Sequence, residues 1–280
     1  MTDDEILVLG SSRKKKKKNF SHFSCTDKNS SFISWIFVLI CVALLFWAFY
    51  ALTHYTREYD VEVINKLNEC AIINNNPGEK SDMVFLDKEG VSNVPLHIIK
   101  TKNMRAMLTA DEKDLPDSTA ESCYLAATAL EISPDGNILF QDFLLDKQKI
   151  FAEKKLRGYC AIINGNISIG ISDKDDVMTY CQEHNGTFFR QDPLVIDENI
   201  ILNERIKGKD FRRALAKDSE NIYLIESKNK ESLYDFSCAI KDLGITDAIN
   251  LPVSYLAARN KDGFEETARP TGGAVYLLMK

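Results

Sequence analysis

From residue 31 to residue 53 the chain carries no charged side chain and is dominated by Ile, Phe, Val, Leu, Ala and Trp. That length matches the ~20 apolar residues a helix needs to cross the hydrocarbon core of a bilayer. A helix buried in a soluble core would show a polar stripe at helical period, and 33–52 has none. The run therefore reads as one transmembrane helix. Trp35 near its start, and Trp47 and Tyr50 near its end, suit the aromatic enrichment at the two interfaces. The consecutive basic residues from Arg13 to Lys18 far outweigh Arg57 just beyond the run. The positive-inside bias then makes 1–30 a cytoplasmic basic tail and sends the bulk of the chain to the periplasmic, extracytoplasmic side of the cytoplasmic membrane. Because the run exceeds the ~7–15 residues of a signal-peptide core and no A-x-A-like site follows, it is expected to stay as an uncleaved signal anchor. The lipid bilayer is the first expected partner.

A chain of 280 residues with 45% hydrophobic content can bury a substantial core in one or two domains. A net charge of -6, with its longest basic run in the tail, argues against nucleic acid as a partner. Of the seven cysteines, Cys25 lies in the tail, Cys41 in the apolar run, and Cys70, Cys123, Cys160, Cys181 and Cys238 beyond it. No C-x-x-C pair and no His/Cys spacing typical of zinc occurs, so neither metal nor cofactor is expected. The odd exterior count leaves at least one thiol unable to pair within the domain. Cys160 and Cys181 could bridge, but small buried apolar residues are the preferred reading.

Val61, Ile64, Leu67 and Ile72 recur at near-helical spacing, so 54–81 reads as a membrane-proximal stalk that Asn74-Asn75-Asn76-Pro77-Gly78 stops. The folded domain is placed at 82–280, with 158–280 its best-defined part. Short strands are expected at 83–86 and 96–99, a polar loop at 111–117, and a hairpin in which 124–132 and 137–145 flank Ser133-Pro134-Asp135-Gly136. Runs 159–163 and 167–171 surround Asn164-Gly165, a strong two-residue hairpin signal. Ser172-x-x-Asp175 resembles a capping box opening a helix near 173–184, which Asn185-Gly186 ends. The same grammar gives a strand at 222–226, a helix near 232–243 opened by Ser232-x-x-Asp235, and strands at 248–253 and 274–279. Helices interspersed with hairpins predict an α+β domain with a mixed sheet, preceded by the transmembrane helix.

The residues that point to chemistry form an ordered series. His184-Asn185-Gly186-Thr187-Phe188-Phe189-Arg190 comes first, then Phe211-Arg212-Arg213-Ala214-Leu215, then Asp247-Ala248-Ile249-Asn250-Leu251. A glycine just after a helix lets backbone approach a ligand, and an arginine pair at a strand edge can fork onto phosphate. Asn185-Gly186-Thr187 and Asn166-Ile167-Ser168 also match the glycosylation sequon.

Taken together these segments resemble the phosphodiester glycosidase family, whose members carry uncovering-enzyme-like domains. The likeness covers 158–280. It rests on the Asn-Gly turn running into Phe-Phe at 185–189, the Arg-x-Ala segment at 212–214, Leu243-Gly244, the Ala-Ile-Asn-Leu strand at 248–251, and Arg269. The wording at 188–195 resembles a membrane-anchored Bacteroidetes-type branch of that family. The resemblance implies a hydrolase acting on sugar-phosphate diesters of the cell envelope. Its implied substrate-binding residues are Asn185, Arg190, Arg212, Arg213, Ser254 and Arg269: the arginines hold phosphate and Asn185 orients a sugar. Where the family has Asp-Gly-Gly and a small hydroxyl residue, this chain has Pro252-Val253-Ser254 after Leu251. Hydrolysis of a glycosidic bond normally needs a carboxyl group to move a proton, and Asp192 or Asp247 could stand in for the lost acid. Two expectations follow: an anchored hydrolase, or a relative that has lost catalysis and uses the fold for glycan binding or envelope assembly. A carboxylate beside the arginine cluster separates them.

Overall fold

The structure is a computed structural model that describes residues 28–72, 80–89, 93–116, 119–132, 141–152, 156–202, 208–267 and 273–280. Two compact units are present, Met1–Tyr55 and Thr56–Lys280. Helix α1 (Lys28–Ile72) is 45 residues long. In the first unit its described side chains, Trp35 to Tyr50, are all exposed, with no polar stripe among them. Among the described residues no helix is long and apolar enough to cross a membrane. The turn at 133–136 and Arg269 lie outside the described residues.

The second unit is built almost entirely of strands. In chain order they begin with β1 (Asp82–Glu89), β2 (Pro95–Lys102), β3 (Ala106–Thr109), β4 (Tyr124–Glu131), β5 (Phe143–Leu145), β6 (Gln148–Ile150), β7 (Gly158–Ile163) and β8 (Asn166–Ile171). Helix α2 (Asp176–Glu183) follows, then β9 (Thr187–Gln191), β10 (Pro193–Ile196), β11 (Asn199–Ile200), β12 (Lys209–Asp210), β13 (Arg213–Lys217), β14 (Ile222–Ser227) and β15 (Glu231–Ser232). Helix α3 (Leu233–Asp242) leads to β16 (Asp247–Leu251), β17 (Leu256–Arg259), β18 (Phe264–Glu266) and β19 (Ala274–Met279). The large sheet has the order β1-β2-β14-β13-β16-β10-β11, a second β18-β17-β4-β19-β3, a third β6-β5-β9-β7-β8, and β12 pairs with β15 alone. The α+β class agrees with the sequence, but the sheets are not mixed: every described pairing is antiparallel. Parallel pairs need long crossovers, whereas β5–β6, β7–β8, β10–β11 and β13–β14 are joined by turns of two to four residues.

The three sheets meet in one core. Met83, Ile99, Leu224, Leu215 and Ile249 of the large sheet pack with Leu125, Ala127, Val275 and Leu277 of the second and Phe143, Cys160, Ile162 and Phe189 of the third. The opposite face of the large sheet presents Leu96, Ile98, Ile225, Ala214 and Ala248 to Leu233, Phe236 and Ile240 of α3. Helix α3 starts where Ser232 accepts from the Asp235 amide at 3.0 Å and donates back to its carboxylate at 2.6 Å. Helix α2 departs from expectation. It begins at Asp176 rather than being capped by Ser172, whose hydroxyl instead accepts from the Lys174 amide. Asn164 and Gly165 both take positive φ, 53° and 80°, as a type I′ hairpin turn requires.

The segment read as a stalk contributes to the core at its end. Leu67 packs with Tyr159, Val177, Met178 and Phe188. The Asn166 and Asn164 amides donate to the carbonyls of Cys70 and Ala71, satisfying acceptors that the last turn of α1 leaves open. Cys70, Cys123, Cys160 and Cys181 are free thiols. Burial pushes Cys70 up to about 11 and Cys181 up to about 12, so neither is a nucleophile near neutral pH.

Asp218 closes the turn between β13 and β14. It accepts from the Glu220 and Asn221 amides at 2.7 and 2.6 Å and from the Tyr223 hydroxyl at 2.5 Å. Burial pushes this carboxyl up, but the Tyr223 hydroxyl and the two amides together hold it below its ordinary 3.8. Asp218→Asn should therefore lower the unfolding free energy by about 1 kcal/mol near neutral pH, read from the urea midpoint. A depressed folded pKa contributes stability above the unfolded value and loses it as pH falls through the folded one. The gap between variant and wild type should accordingly close below 3.8; a gap that stays constant on acidification would show that the turn does not depend on the ionised carboxyl.

Candidate functional site

Four adjacent strands carry one row of ionisable residues across the large sheet. Asp87 on β1 is paired with His97 on β2, His97 with Glu226 on β14, and Glu226 with Arg213 on β13. Residues directly opposite one another share a face of the sheet. Two positions along each strand lie Phe85, Ile99, Leu224 and Leu215, which pack in or against the central core. The row thus marks the line where the core-facing side of the sheet turns polar. A cleft of about 310 Å³ opens there, lined by His97, Glu226 and Arg213 of the row together with Phe211, Arg212, Ser227, Lys228, Val253 and Thr267.

Acidic and basic side chains alternate along the row. His97 Nδ1 lies 3.0 Å from Asp87 Oδ1 and its Nε2 3.0 Å from Glu265 Oε2 on β18. Lys228 Nζ lies 2.6 Å from Asp87 Oδ2. Lys228 first, and His97 second, hold the Asp87 carboxyl below its ordinary 3.8.

Arg213 is 1% exposed, and its contacts use every donor it has. Nε and Nη2 approach Glu226 Oε1 at 2.8 and 2.7 Å. Nη1 donates to the carbonyls of Pro252 and Tyr255 at 2.8 and 2.6 Å, and Nη2 to that of Val253 at 3.4 Å. A guanidinium has five N–H groups, so none remains for a ligand. Arg213 holds the turn at 252–255.

Arg212 differs. Nε donates to the Glu231 carbonyl at 3.1 Å and Nη2 to the Gly208 carbonyl at 2.8 Å, while its backbone amide is tied to Ser227 Oγ at 2.8 Å. Among the described residues no carboxylate pairs with it. The result is a half-buried cation, oriented by backbone oxygens and, among the described residues, without a carboxylate partner at the cleft.

Of the other expected site residues, Arg269 lies outside the described residues, and Asn185, Arg190 and Ser254 do not line this cleft. Arg190 is 0% exposed on β9, where it donates to the carbonyls of Leu156, Ser172 and Lys174. Its Nε lies 3.1 Å from Asp142 as a charge contact rather than an aligned hydrogen bond. Burial lowers the Arg190 pKa, with Asp142 opposing. Arg190 is a brace between loops, because buried guanidinium needs a partner for each donor. Asn185 sits at φ 53° in the turn after α2; the Gly186 amide reaches the Cys181 carbonyl at 2.7 Å and the Asn185 amide that of Gln182 at 3.4 Å. These are the two bonds of a Schellman helix end. A Cβ at Gly186 would lie 2.6 Å from the Ile162 carbonyl, so the close approach that demands glycine is to β7 and not to a ligand. Ser254 belongs to the turn beside the cleft, but its hydroxyl donates to Thr128 Oγ1 at 3.0 Å. Asp192 and Asp247 do not line the cleft. The Asn166 side-chain amide, which a sequon would offer for modification, is buried against Cys70.

His97, Glu226 and Lys228 were missed from the sequence. The available signal was a charged or polar residue in register with inward apolar ones, His97 beside Ile99 and Glu226 beside Leu224. Among the described residues no group of His, Cys, Asp and Glu is arranged to hold a metal ion.

No family model and no curated protein sequence matches this chain. Among solved structures it is similar to the zebrafish N-acetylglucosamine-1-phosphodiester α-N-acetylglucosaminidase catalytic domain auto-inhibited by pro-peptide. That match has a TM-score of 0.51 at 14% identity and covers 75% of this chain and 85% of that one. A hypothetical protein from Synechocystis gives a TM-score of 0.42 at 9% identity, covering 71% of this chain and 62% of its own. The first of these likenesses establishes a related fold, that of a phosphodiester glycosidase catalytic domain.

Proposed function

We propose that this chain is a membrane-anchored, extracytoplasmic protein that binds sugar-phosphate diesters of the cell envelope in the cleft over the charged row and turns them over negligibly. The observation that carries the reading is Arg212: an oriented guanidinium without a carboxylate partner among the described residues, in a concave site, on the fold of a phosphodiester glycosidase. A phosphodiester supplies one negative charge and two unesterified oxygens, which a guanidinium fork matches. Lys228 adds a second cation at the rim. A carboxylate does lie within reach of the arginines, but Glu226 is paired with Arg213, whose Nε and Nη2 both approach its Oε1. The turn at 252–255 offers Pro252 and Val253 in place of an acid. Anchoring is supported by the uncharged run at 31–53 and by the exposure of Trp35, Phe37, Leu45, Phe46, Trp47 and Phe49, each 68% or more. Such a surface is stable only in an apolar medium or against apolar partners.

Two measurements test this. Purified full-length protein in detergent should bind a glycosyl-1-phosphodiester and release no sugar from it above the uncatalysed rate. Arg212→Ala should reduce binding at least tenfold, about 1.4 kcal/mol, with little change in stability, because its lost contacts are half-exposed. Arg213→Ala should instead cost about 1–3 kcal/mol of stability by leaving the Pro252 and Tyr255 carbonyls without their donors. Rapid sugar release by the wild type, or intact binding in Arg212→Ala, would overturn the reading. For the topology, protease added outside intact spheroplasts should digest the domain and spare the Lys-rich tail; digestion of the tail with a protected domain reverses the assignment.

A further inference from the structure

The cleft has an apolar side that the phosphate reading leaves unused. Phe211 is 48% exposed and Val253 42% exposed, and both line the same cavity as Arg212. Phe211 is not carried on a slack loop. Its amide is tied to Asp210 Oδ1 at 2.9 Å, and the preceding residues Lys209 and Asp210 pair with Ser232 and Glu231 at the start of α3. Lys230 Nζ stands 5.8 Å from the centre of the Phe211 ring, so a cation attends the ring without covering it with protein. Leaving this much phenyl surface in water sacrifices burial that would otherwise stabilise the fold. A rigid aromatic ring beside an oriented cation is the combination that recognises a ligand with an anionic group joined to a flat-faced, partly apolar ring.

We infer that Phe211 is the ring platform of the cleft: the C–H face of a pyranose packs on it while Arg212 holds the adjoining phosphodiester, so that the site selects glycosyl phosphodiesters over phosphodiesters lacking a ring. This rests on the phosphate reading of Arg212. Because Phe211 and Arg212 line the same cavity, a compact ligand with ring and phosphate directly joined can reach both. Val253, from the turn that Arg213 fixes, supplies a second apolar contact on the cavity lining.

The test uses the full-length protein in detergent and two probes by calorimetry: a methyl pyranosyl-1-phosphodiester, and glyceryl methyl phosphodiester as the ring-free counterpart. The wild type should bind the pyranosyl probe at least tenfold more tightly than the glyceryl probe. Phe211→Ala should weaken the pyranosyl probe about tenfold, and Phe211→Trp should restore it. Equal wild-type affinity for the two probes, or a pyranosyl affinity in Phe211→Ala within twofold of wild type, overturns the platform while leaving the phosphate site intact. Absence of pyranosyl binding to the wild type overturns the phosphate reading and the platform with it. Loss in Phe211→Ala that Phe211→Trp fails to restore overturns the stacking role, since an indole offers a larger face than a phenyl.

Discussion

The end of the large sheet depends on one buried cation. Arg213 sits where an apolar strand face would otherwise end in open solvent, and its guanidinium joins β14, through Glu226, to the turn between β16 and β17. Taking a guanidinium out of water is costly, and the cost is offset only when each donor finds an acceptor in good geometry. Here the acceptors are one carboxylate and three backbone carbonyls. The turn at 252–255 takes its shape from this arrangement, and with it the wall that Val253 gives the cleft. Arg212, one residue earlier, is free to serve a different purpose because its neighbour has absorbed the structural demand.

Arg190 performs the same kind of work elsewhere. It gathers the carbonyls of Leu156, Ser172 and Lys174, which belong to two connecting segments with few backbone partners of their own. Asp142 balances its charge, and also accepts from the Ala152 amide at 2.8 Å. Two internal arginines thus organise loops at separate places in the unit, each by collecting carbonyl oxygens that no strand or helix uses.

Much of the fold was legible where local chemistry was strong. Asn164-Gly165 marked a hairpin because few other pairs tolerate two positive φ values; Ser232-x-x-Asp235 marked a helix start because the bonds are made within four residues; β19 was read with its observed bounds from an unbroken apolar run. The short strands β3 and β6 were not legible, since three or four residues of uneven burial carry no clear period. The site was harder still. Arginine beside apolar residues looks the same in sequence whether it borders a cleft, like Arg212, or faces the interior, like Arg190 and Arg213. What separates them is the supply of nearby carbonyls, and the row from Asp87 to Arg213 exists only once strands distant in sequence have come into register.

Strand β19 lies between β3 and β4 in the middle of its sheet, and Lys280 exchanges backbone hydrogen bonds of 3.0 and 2.8 Å with Arg105. Both neighbours come from the opening part of the unit, so the second sheet cannot close until the last strand has been delivered to it. During synthesis β3 and β4 must wait with unpaired edges and apolar faces, the kind of surface on which chaperones act. The closing step joins segments separated by most of the unit's length, which makes assembly of this sheet slow compared with the local hairpins. A unit of this topology therefore commits to its native core late, once β19 has been made and delivered.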